Sequence, residues 1–568
     1  MTKRLTARVR RTSSRLLGRL AARGAAHRTP APADDLDRFV AANPVARHPA
    51  AGVRVVPVRG GWQLVQDVPD LDTGDAYRRN RDQLVELCER NGIDYFALID
   101  PSEASGRIAV ADPDWARFAD AVAEAGTRIP FYVETWAADG RRTPALPTAD
   151  PDARAALLAA HRVLVFVQYA LPGSAIRLGR PYGCLIERWS VDRDGVLRAP
   201  VANRVTQAVG PAGRSPAVVQ DRGRAVTTLA PFTEPNALTI DFPIDVVVPW
   251  IDDTDPTWLA RRARHLADAA EAETDAVPVP RDALAPTPIG DPSLLRFTLR
   301  SVAHHLPWVR TIHLVADGQY PAWLDPSATR VRVTDVADLL ESRGTLPTFN
   351  PEAVRSSLHH LDGLAGRYLV IEPGTVINRP LPADLFFHAN GLLKLGFDRA
   401  TLPLVDAAAA PIDVAVRRNV ADLLEQAFGR RPSQAFAPGP IPQNRDLLLE
   451  LQARFPELFK HNWGSQIRTA AGYEITSWLH HYYAHFTGRA APGRVRAEFV
   501  ETTQGNVRTR LRNVLRDRGV EVTTLGNGAY GDPAAAAAVR TSLSRWLPAP
   551  ARHELYAEQP VTPRRTWN

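Results

Sequence analysis

Apolar residues along this chain fall into two alternating rhythms, a helical repeat and short runs that read as strands. Residues 76–91 (AYRRNRDQLVELCERN) carry the helical repeat and lead into a strand at 94–99 (DYFALI). RIAVA, a helix at 113–126, PFYVETW, RVLVFVQYAL (162–171) and CLIERWSVD (184–192) follow. This order predicts an α/β or α+β module with its own core, set off by a Pro/Ala-rich joint near residues 29–34. No nucleophile elbow, P-loop or metal-ligand spacing occurs in it.

A second α/β block opens at IDVVVPWIDDTDPTW (244–258). Ile244–Val248 is apolar on both faces, the pattern of a strand buried in a parallel sheet, and it empties into a loop carrying Asp252, Asp253 and Asp255. A helix is predicted at 293–305, capped by Ser293 after Pro292, then a strand at 311–319 that reaches Asp317-Gly318. A helix at about 351–361 precedes the strand Tyr368–Ile371, which breaks on Glu372-Pro373-Gly374. Residues 401–490 read as mainly helical, with APGPIPQNRD (437–446) as a proline-rich entry. The remainder reads as a helix at 507–517, the strand VEVTTL, a glycine loop and a helix at 533–546.

The expected organisation is a basic arm (1–48), an N-terminal α/β module (49–240), a core (241–400), a helical region (401–490) and a C-terminal region (491–568). Ligands of open α/β sheets bind outside the carboxyl ends of strands, which draws attention to the acidic loop after Val248 and to Asp317.

Charge narrows the ligand class. The chain carries a formal net charge of +7, and Lys3, Lys394 and Lys460 are its only lysines, so the positive charge is almost all arginine. Arginine suits planar, bidentate contact with phosphate. Zinc-finger spacing, RNP motifs and basic–aromatic stripes are absent, which argues against nucleic acid. Cys88 and Cys184 sit in apolar contexts and indicate no disulfide framework. No apolar run approaches the roughly 20 residues that span a bilayer, and a signal-peptide core is missing, so a cytoplasmic location is expected. Residues 1–28 contain no acidic residue and place leucines near helical spacing among arginines. That pattern suits a basic amphipathic helix on anionic lipid or a disordered basic tail, and either favours the inner face of a membrane.

The informative polar set is Asp252/Asp253/Asp255, Arg296/Arg300, Asp317 and Asn350. Carboxylates at strand ends hold Mg²⁺ or Mn²⁺ in many proteins, and a cation with arginines neutralises a pyrophosphate, as phosphoryl transfer requires. Arg296, Arg300 and His304 share one helix face, and spacing alone favours a solvated stripe for it. His481 and His485 have zinc-ligand spacing without a third ligand, and GNGAYG (526–531) reads as a glycine turn rather than a dinucleotide fingerprint.

Three long segments, IDVVVPWIDDTDPTW, LLRFTLRSVAHHLPWVRTIHLVADGQYPAWL and LPTFNPEAVRSSLHHLDGL, resemble in order the first two conserved regions of the Stealth family of sugar-1-phosphate transferases. A third region is similar in LLLELQARFPELF and IRTAAGYEITSWLHHYYAHFTGRA, and a fourth in VTTLGNG and SLSRWLPAPARHEL. The resemblance implies a Rossmann-like, nucleotide-sugar-transferase-like core with a helical insert. It also implies transfer of a hexose-1-phosphate from a UDP-sugar to a polysaccharide hydroxyl, with Mg²⁺ or Mn²⁺. Asp245, Trp250, Asp252, Asp255, Arg296, Arg300, Asp317, Gly318, Asn350 and Arg468 agree with the family pattern. The resemblance thereby implies donor binding by Asp252, Asp255, Arg296, Arg300, Asp317 and Asn350, metal binding by Asp252 and Asp317, and catalytic roles for Arg468 and Glu372.

The departures fall at reactive positions. Glu372-Pro373-Gly374 stands where the family has Asn-Asp-Asp, Arg355 where it has a glutamate, Pro438 near its histidines, Gly472 and Asn527 at two aspartates. Three functions therefore stay open at this level: an exopolysaccharide phosphotransferase, an inactive homologue that binds glycan, nucleotide sugar or a partner, and a metal-dependent glycosyltransferase.

Overall fold

The computed structural model describes residues 33–555, apart from 51, 59–60, 70, 72, 100–105, 173–176, 222–223, 273–292, 404–409, 503–505, 518, 527–532 and 548–549. The basic stretch 1–28 and Asn527 lie outside the described residues.

The apolar residues collect into several cores. One cluster runs from Val68 to Ile186, a second joins Phe96, Trp189 and Phe232, and the largest extends from Ile244 to Val522. The N-terminal part is built on a mixed sheet in which Cys184–Val191 pairs parallel with Arg107–Ala111 and antiparallel with Arg162–Val167. Helices Thr73–Arg90 and Asp112–Ala125 pack on it. It meets the rest of the chain through the ion pairs Arg204–Asp384 (3.0 Å) and Arg552–Asp75 (2.5 Å).

The large core surrounds a five-stranded sheet of β1 (Ile244–Pro249), β2 (Val309–Ala316), β3 (Val331–Asp335), β4 (Arg367–Val370) and β5 (Ile441–Asn444). Its order is β3-β2-β1-β4-β5, with β1 to β4 parallel and β5 antiparallel to β4. β1 is buried along both faces, as its unbroken apolar run requires in a covered parallel sheet. The chain builds outward from β1 to β3 and then crosses to β4 on β1's other side. This reversal creates a crevice at the carboxyl ends, where α/β folds hold ligands.

The base of the sheet is pinned by Asp245. This fully buried carboxylate accepts from Arg310 at 2.6 and 2.9 Å, from the Thr311 N–H at 3.1 Å and from the Ala365 N–H at 2.8 Å. Burial works against its charge, but these donors and His313 hold it well below the usual carboxylate range.

Helix α1 (Ser293–His305) has the bounds that its pattern predicts. Helix α2 (Pro351–Arg355) is shorter than its predicted 351–361: past it the Ser356 and Ser357 hydroxyls bond back to the carbonyls of Glu352 and Ala353, and Leu358–His360 forms a separate 3₁₀ turn. The region predicted to be mainly helical differs more. It contains α3 (Ile412–Phe428), α4 (Arg445–Arg454), α5 (Pro456–Gly464) and α6 (His480–Phe486), but also the sheet strand β5 and the short strand Gln434–Phe436. β5 holds Pro442, which a ladder tolerates only at an edge, and this is an edge strand with no alternating apolar signature. Among the described residues no helix is long and apolar enough to cross a membrane.

Candidate active site

At the carboxyl end of β4 the chain turns through Glu372-Pro373-Gly374-Thr375, closed by the Thr375 N–H on the Glu372 carbonyl at 3.0 Å. Gly374 has φ +89°, the left-handed value that a type II turn needs at its third position, with proline at the second. The Gly374 N–H donates to Thr298 Oγ1 of α1 at 3.0 Å. Glu372 is thereby fixed at the sheet's carboxyl edge, lining a cavity of about 490 Å³.

Five further segments help to close this cavity. Asn350 caps α2 by accepting from the Glu352 N–H at 3.0 Å, and its Nδ2 donates to the Ser465 carbonyl at 3.0 Å. One side chain thus starts the helix that carries Glu352 and Arg355, and holds the segment that carries Arg468. α3 contributes Asp413 and Arg417, four residues apart and so on one face. Ile475–Leu479 forms a π-helical turn, with the Leu479 N–H on the Glu474 carbonyl at 3.1 Å, and Glu474, Thr476, Ser477 and Trp478 line the cavity. Such turns recur at functional sites because they widen a helix locally. The proline-rich run into β5 forms another wall, and the Pro442 carbonyl receives His481 Nε2 at 2.9 Å.

The wall carries balanced charge. Glu352, Glu372, Asp413 and Glu474 face Arg355, Lys394, Arg417 and Arg468. Arg355 donates from Nε to Glu372 Oε1 at 2.9 Å, from Nη2 to Glu372 Oε2 at 3.1 Å and from Nη1 to Glu352 Oε1 at 3.1 Å. Burial opposes its charge, yet the carboxylates of Glu372 and Glu352 hold its pKa above the ordinary value. Burial likewise pushes Glu352 upward, against the pull of Arg355. Arg417 pairs with Glu474 at 2.6 Å, and Arg468 pairs with Asp413 and lies 3.9 Å from Glu352. Lys394 Nζ donates to the Asp384 carbonyl at 2.5 Å.

Three buried polar atoms on this wall have no hydrogen-bond partner among the described residues: Arg468 Nε, Thr476 Oγ1 and His481 Nδ1. Buried polar atoms in folded proteins are nearly always paired, so an unsatisfied group at a cavity points to a ligand. Burial lowers His481 to about 4, and its Nε2–H is engaged by Pro442, which leaves Nδ1 with a free lone pair.

The other residues singled out in the sequence lie elsewhere. Asp252 closes its own turn, accepting from the Thr254 N–H at 2.9 Å and hydroxyl at 2.5 Å, while Gln319 Nε2 donates to the Asp252 carbonyl at 2.8 Å and to Asp255 Oδ2 at 3.1 Å. Asp317 accepts from Trp258 Nε1 at 2.8 Å and from Arg261 at 2.7 Å, and burial raises its pKa. None of these three aspartates lines the Glu372 cavity. Arg296 and Arg300 both grip the buried Glu554 carboxylate. The described histidines build walls rather than a metal centre: His481 holds Pro442, and the His485 ring packs on Phe397.

A divalent cation held by Asp252 and Asp317 would share each carboxylate with protein donors. Thr254 takes Oδ1 of Asp252, Trp258 and Arg261 of the helix Pro256–Ala272 take Oδ2 of Asp317, the cavity carboxylates are engaged by arginines, and no group of three or more His, Cys, Asp or Glu among the described residues is arranged to hold a metal ion.

Arg417, Lys394, Asp413 and Glu474 were not legible as site residues, and His481 drew notice only for its zinc-ligand spacing to His485. They come from separate elements with no shared spacing, and only the proline-rich 437–442 marked the region as unusual.

Comparison with known proteins places these features in a context. Residues 289–395 match the family described as Stealth protein CR2, conserved region 2. Exopolysaccharide phosphotransferase SCO6023 of Streptomyces coelicolor is 32% identical over 489 residues, covering 82% of this chain and 80% of that protein. Exopolysaccharide phosphotransferase CpsY of Mycobacterium tuberculosis is 31% identical over 405 residues, covering 70% and 74%. The crystal structure of the galactosyltransferase LgtC with donor and acceptor sugar analogues superposes with a TM-score of 0.28 at 14% identity, over 54% of this chain and 96% of that one. At that score the superposition carries no argument.

Proposed function

The chain belongs to the Stealth family of exopolysaccharide phosphotransferases, and from that premise we propose that the cavity at the end of β4 is where it transfers a hexose-1-phosphate from a UDP-sugar to a glycan hydroxyl. The observation that carries this reading is the convergence of four cationic side chains and three unsatisfied buried polar atoms on one cavity at the sheet's carboxyl edge. Its volume of about 490 Å³ lies within the range of small-molecule sites.

The chemistry follows from those groups. Arg468 and Arg417 face the donor's pyrophosphate, Arg468 turning its unpaired Nε toward a phosphate oxygen. The acceptor hydroxyl oxygen attacks the phosphorus that bears the hexose, and the bond from that phosphorus to the bridging oxygen breaks. UMP departs with the electron pair. The hydroxyl proton passes to His481 Nδ1, whose tautomer the Pro442 carbonyl fixes. Phosphoryl transfer of this kind needs positioning and charge neutralisation more than covalent assistance, which suits a site rich in fixed guanidinium groups.

The test is the product. Purified protein with UDP-sugars and a glycan acceptor should release UMP. Release of UDP would replace this reading with glycosyl transfer, and donor binding without release of either would make the cavity a binding site alone.

A further inference from the structure

Two departures from the family pattern meet in space. Arg355 stands where the resemblance implies a glutamate, and Glu372 opens the turn where it implies aspartates. The two side chains form a two-pronged pair at 2.9 and 3.1 Å, and the same guanidinium reaches Glu352, which is only 3% exposed. Arg355 thus spends three of its five N–H donors on the two carboxylates nearest the end of β4, and keeps two for a ligand.

A divalent cation at this point would need several oxygen ligands that are not already neutralised. Here the carboxylates are committed: Glu352 and Glu372 to Arg355, Glu474 to Arg417, Asp413 to Arg468. An arginine gives a fixed charge that stays protonated at any working pH and that no chelator removes.

We propose that the Arg355 guanidinium takes the place of a divalent cation at the end of β4, so that Glu352 and Glu372 clamp an arginine and a nucleoside diphosphate binds this site without metal. The exchange has a cost in charge. One guanidinium against two carboxylates leaves the clamp at a net negative charge, and Arg417 and Arg468 are paired with Glu474 and Asp413, so neutralising the donor's phosphates requires those two pairs to open toward the ligand, with Lys394 beside them. The nucleotide half of this inference rests on the donor-site reading above, whereas the metal half stands on the clamp geometry alone.

Two measurements separate the halves. Mn²⁺ uptake is followed by electron paramagnetic resonance for the wild type, Arg355→Glu and Arg355→Gln, and UDP binding by calorimetry in EDTA and in Mn²⁺. The wild type should take up no stoichiometric Mn²⁺, and Arg355→Glu, which leaves three carboxylates together, should acquire one ion. UDP affinity of the wild type should differ by less than about threefold between EDTA and Mn²⁺, and Arg355→Gln should weaken it about tenfold or more in EDTA. Stoichiometric Mn²⁺ in the wild type that Glu372→Gln abolishes would overturn the proposal, as would UDP binding that needs Mn²⁺. UDP binding under neither condition would sink the donor reading, while Mn²⁺ uptake still decides the metal half. Should Arg355→Glu fail to fold, Arg355→Gln exposes the same carboxylate pair at a smaller charge change, and Mn²⁺ uptake by Arg355→Gln alone supports the replacement.

Discussion

Two acidic regions sit at the carboxyl edge of the same sheet, and they have opposite fates. The loops after β1 and β2 carry Asp252, Asp255 and Asp317, and each carboxylate is answered at once by neighbours: Thr254, Gln319, Trp258 and Arg261. The end of β4 carries Glu372 among arginines from α2, α3 and the segment after α5, and here the pairs surround open space. An aspartate at a strand end signals a ligand site only when its partners do not already consume it. The first region is closed upon itself, and the second is closed only in part, with polar atoms to spare.

The sharpest way to break this contrast is at Arg468. Arg468→Ala removes a donor from the cavity and leaves Asp413 and Glu352 without its charge. It should lower kcat/KM about 10³-fold, the usual loss for a preorganised charge at a reacting phosphate. Arg468→Lys should recover only part, since an ammonium lacks the planar fork. A change below about tenfold would move the chemistry away from this cavity.

The next effect is on stability. Glu554 is buried under Arg296 and Arg300, whose other bonds include Arg300 Nη1 to the Leu547 carbonyl at 3.0 Å. Glu554→Ala strands two guanidinium groups and should cost about 3–5 kcal/mol in a denaturant titration. A large loss of donor affinity at unchanged stability would return these arginines to the donor site that the resemblance implies.

Acid separates the regions by pH window. His481 is lowered to about 4 and His480 well below its ordinary value, both chiefly by burial, and they hold the Pro442 carbonyl and the Asn444 N–H of β5. A histidine depressed in the folded state contributes stability that is complete above its unfolded value near 6.5 and is lost as pH falls toward the folded value. The donor-held Asp245 obeys the same sign from a lower start, losing stability only below about 4. Hydrogen exchange at residues 441–444 and 475–486, and around the similarly lowered His305 and His359, should therefore accelerate between about pH 6.5 and 5, by up to about 2 kcal/mol per histidine, while β1 stays protected. Simultaneous loosening of both would mean that the cavity wall is not a separate unit.

Much of the scaffold was legible because it follows periodicity. The doubly apolar run of β1, the apolar repeat of α1 and the proline–glycine break after β4 each specify their own structure. The cavity was not, for two physical reasons. Its charges converge from segments far apart in sequence, such as Arg355, Arg417 and Arg468, and convergence leaves no local spacing. Its strand β5 is an edge strand that holds Pro442 and follows a proline-rich run, which resembles a loop until β4 pairs with it. Even the Arg355 substitution was visible only as a loss, because its partner Glu372 is identified by geometry alone.

The smallest effect tests the other side of the contrast. Asp252 holds a turn through Thr254 and presents its backbone to Gln319, so Asp252→Ala loses local hydrogen bonds worth about 0.5–1.5 kcal/mol. Because Oδ1 of its carboxylate is taken by that turn, kcat/KM should stay within about threefold of the wild type. The strand-end position alone argues for a larger loss, so the experiment opposes location to partnership. A fall of 100-fold or more, about 2.7 kcal/mol, would show that the turn opens to release Asp252 to a ligand, and the two acidic regions would then be halves of one site.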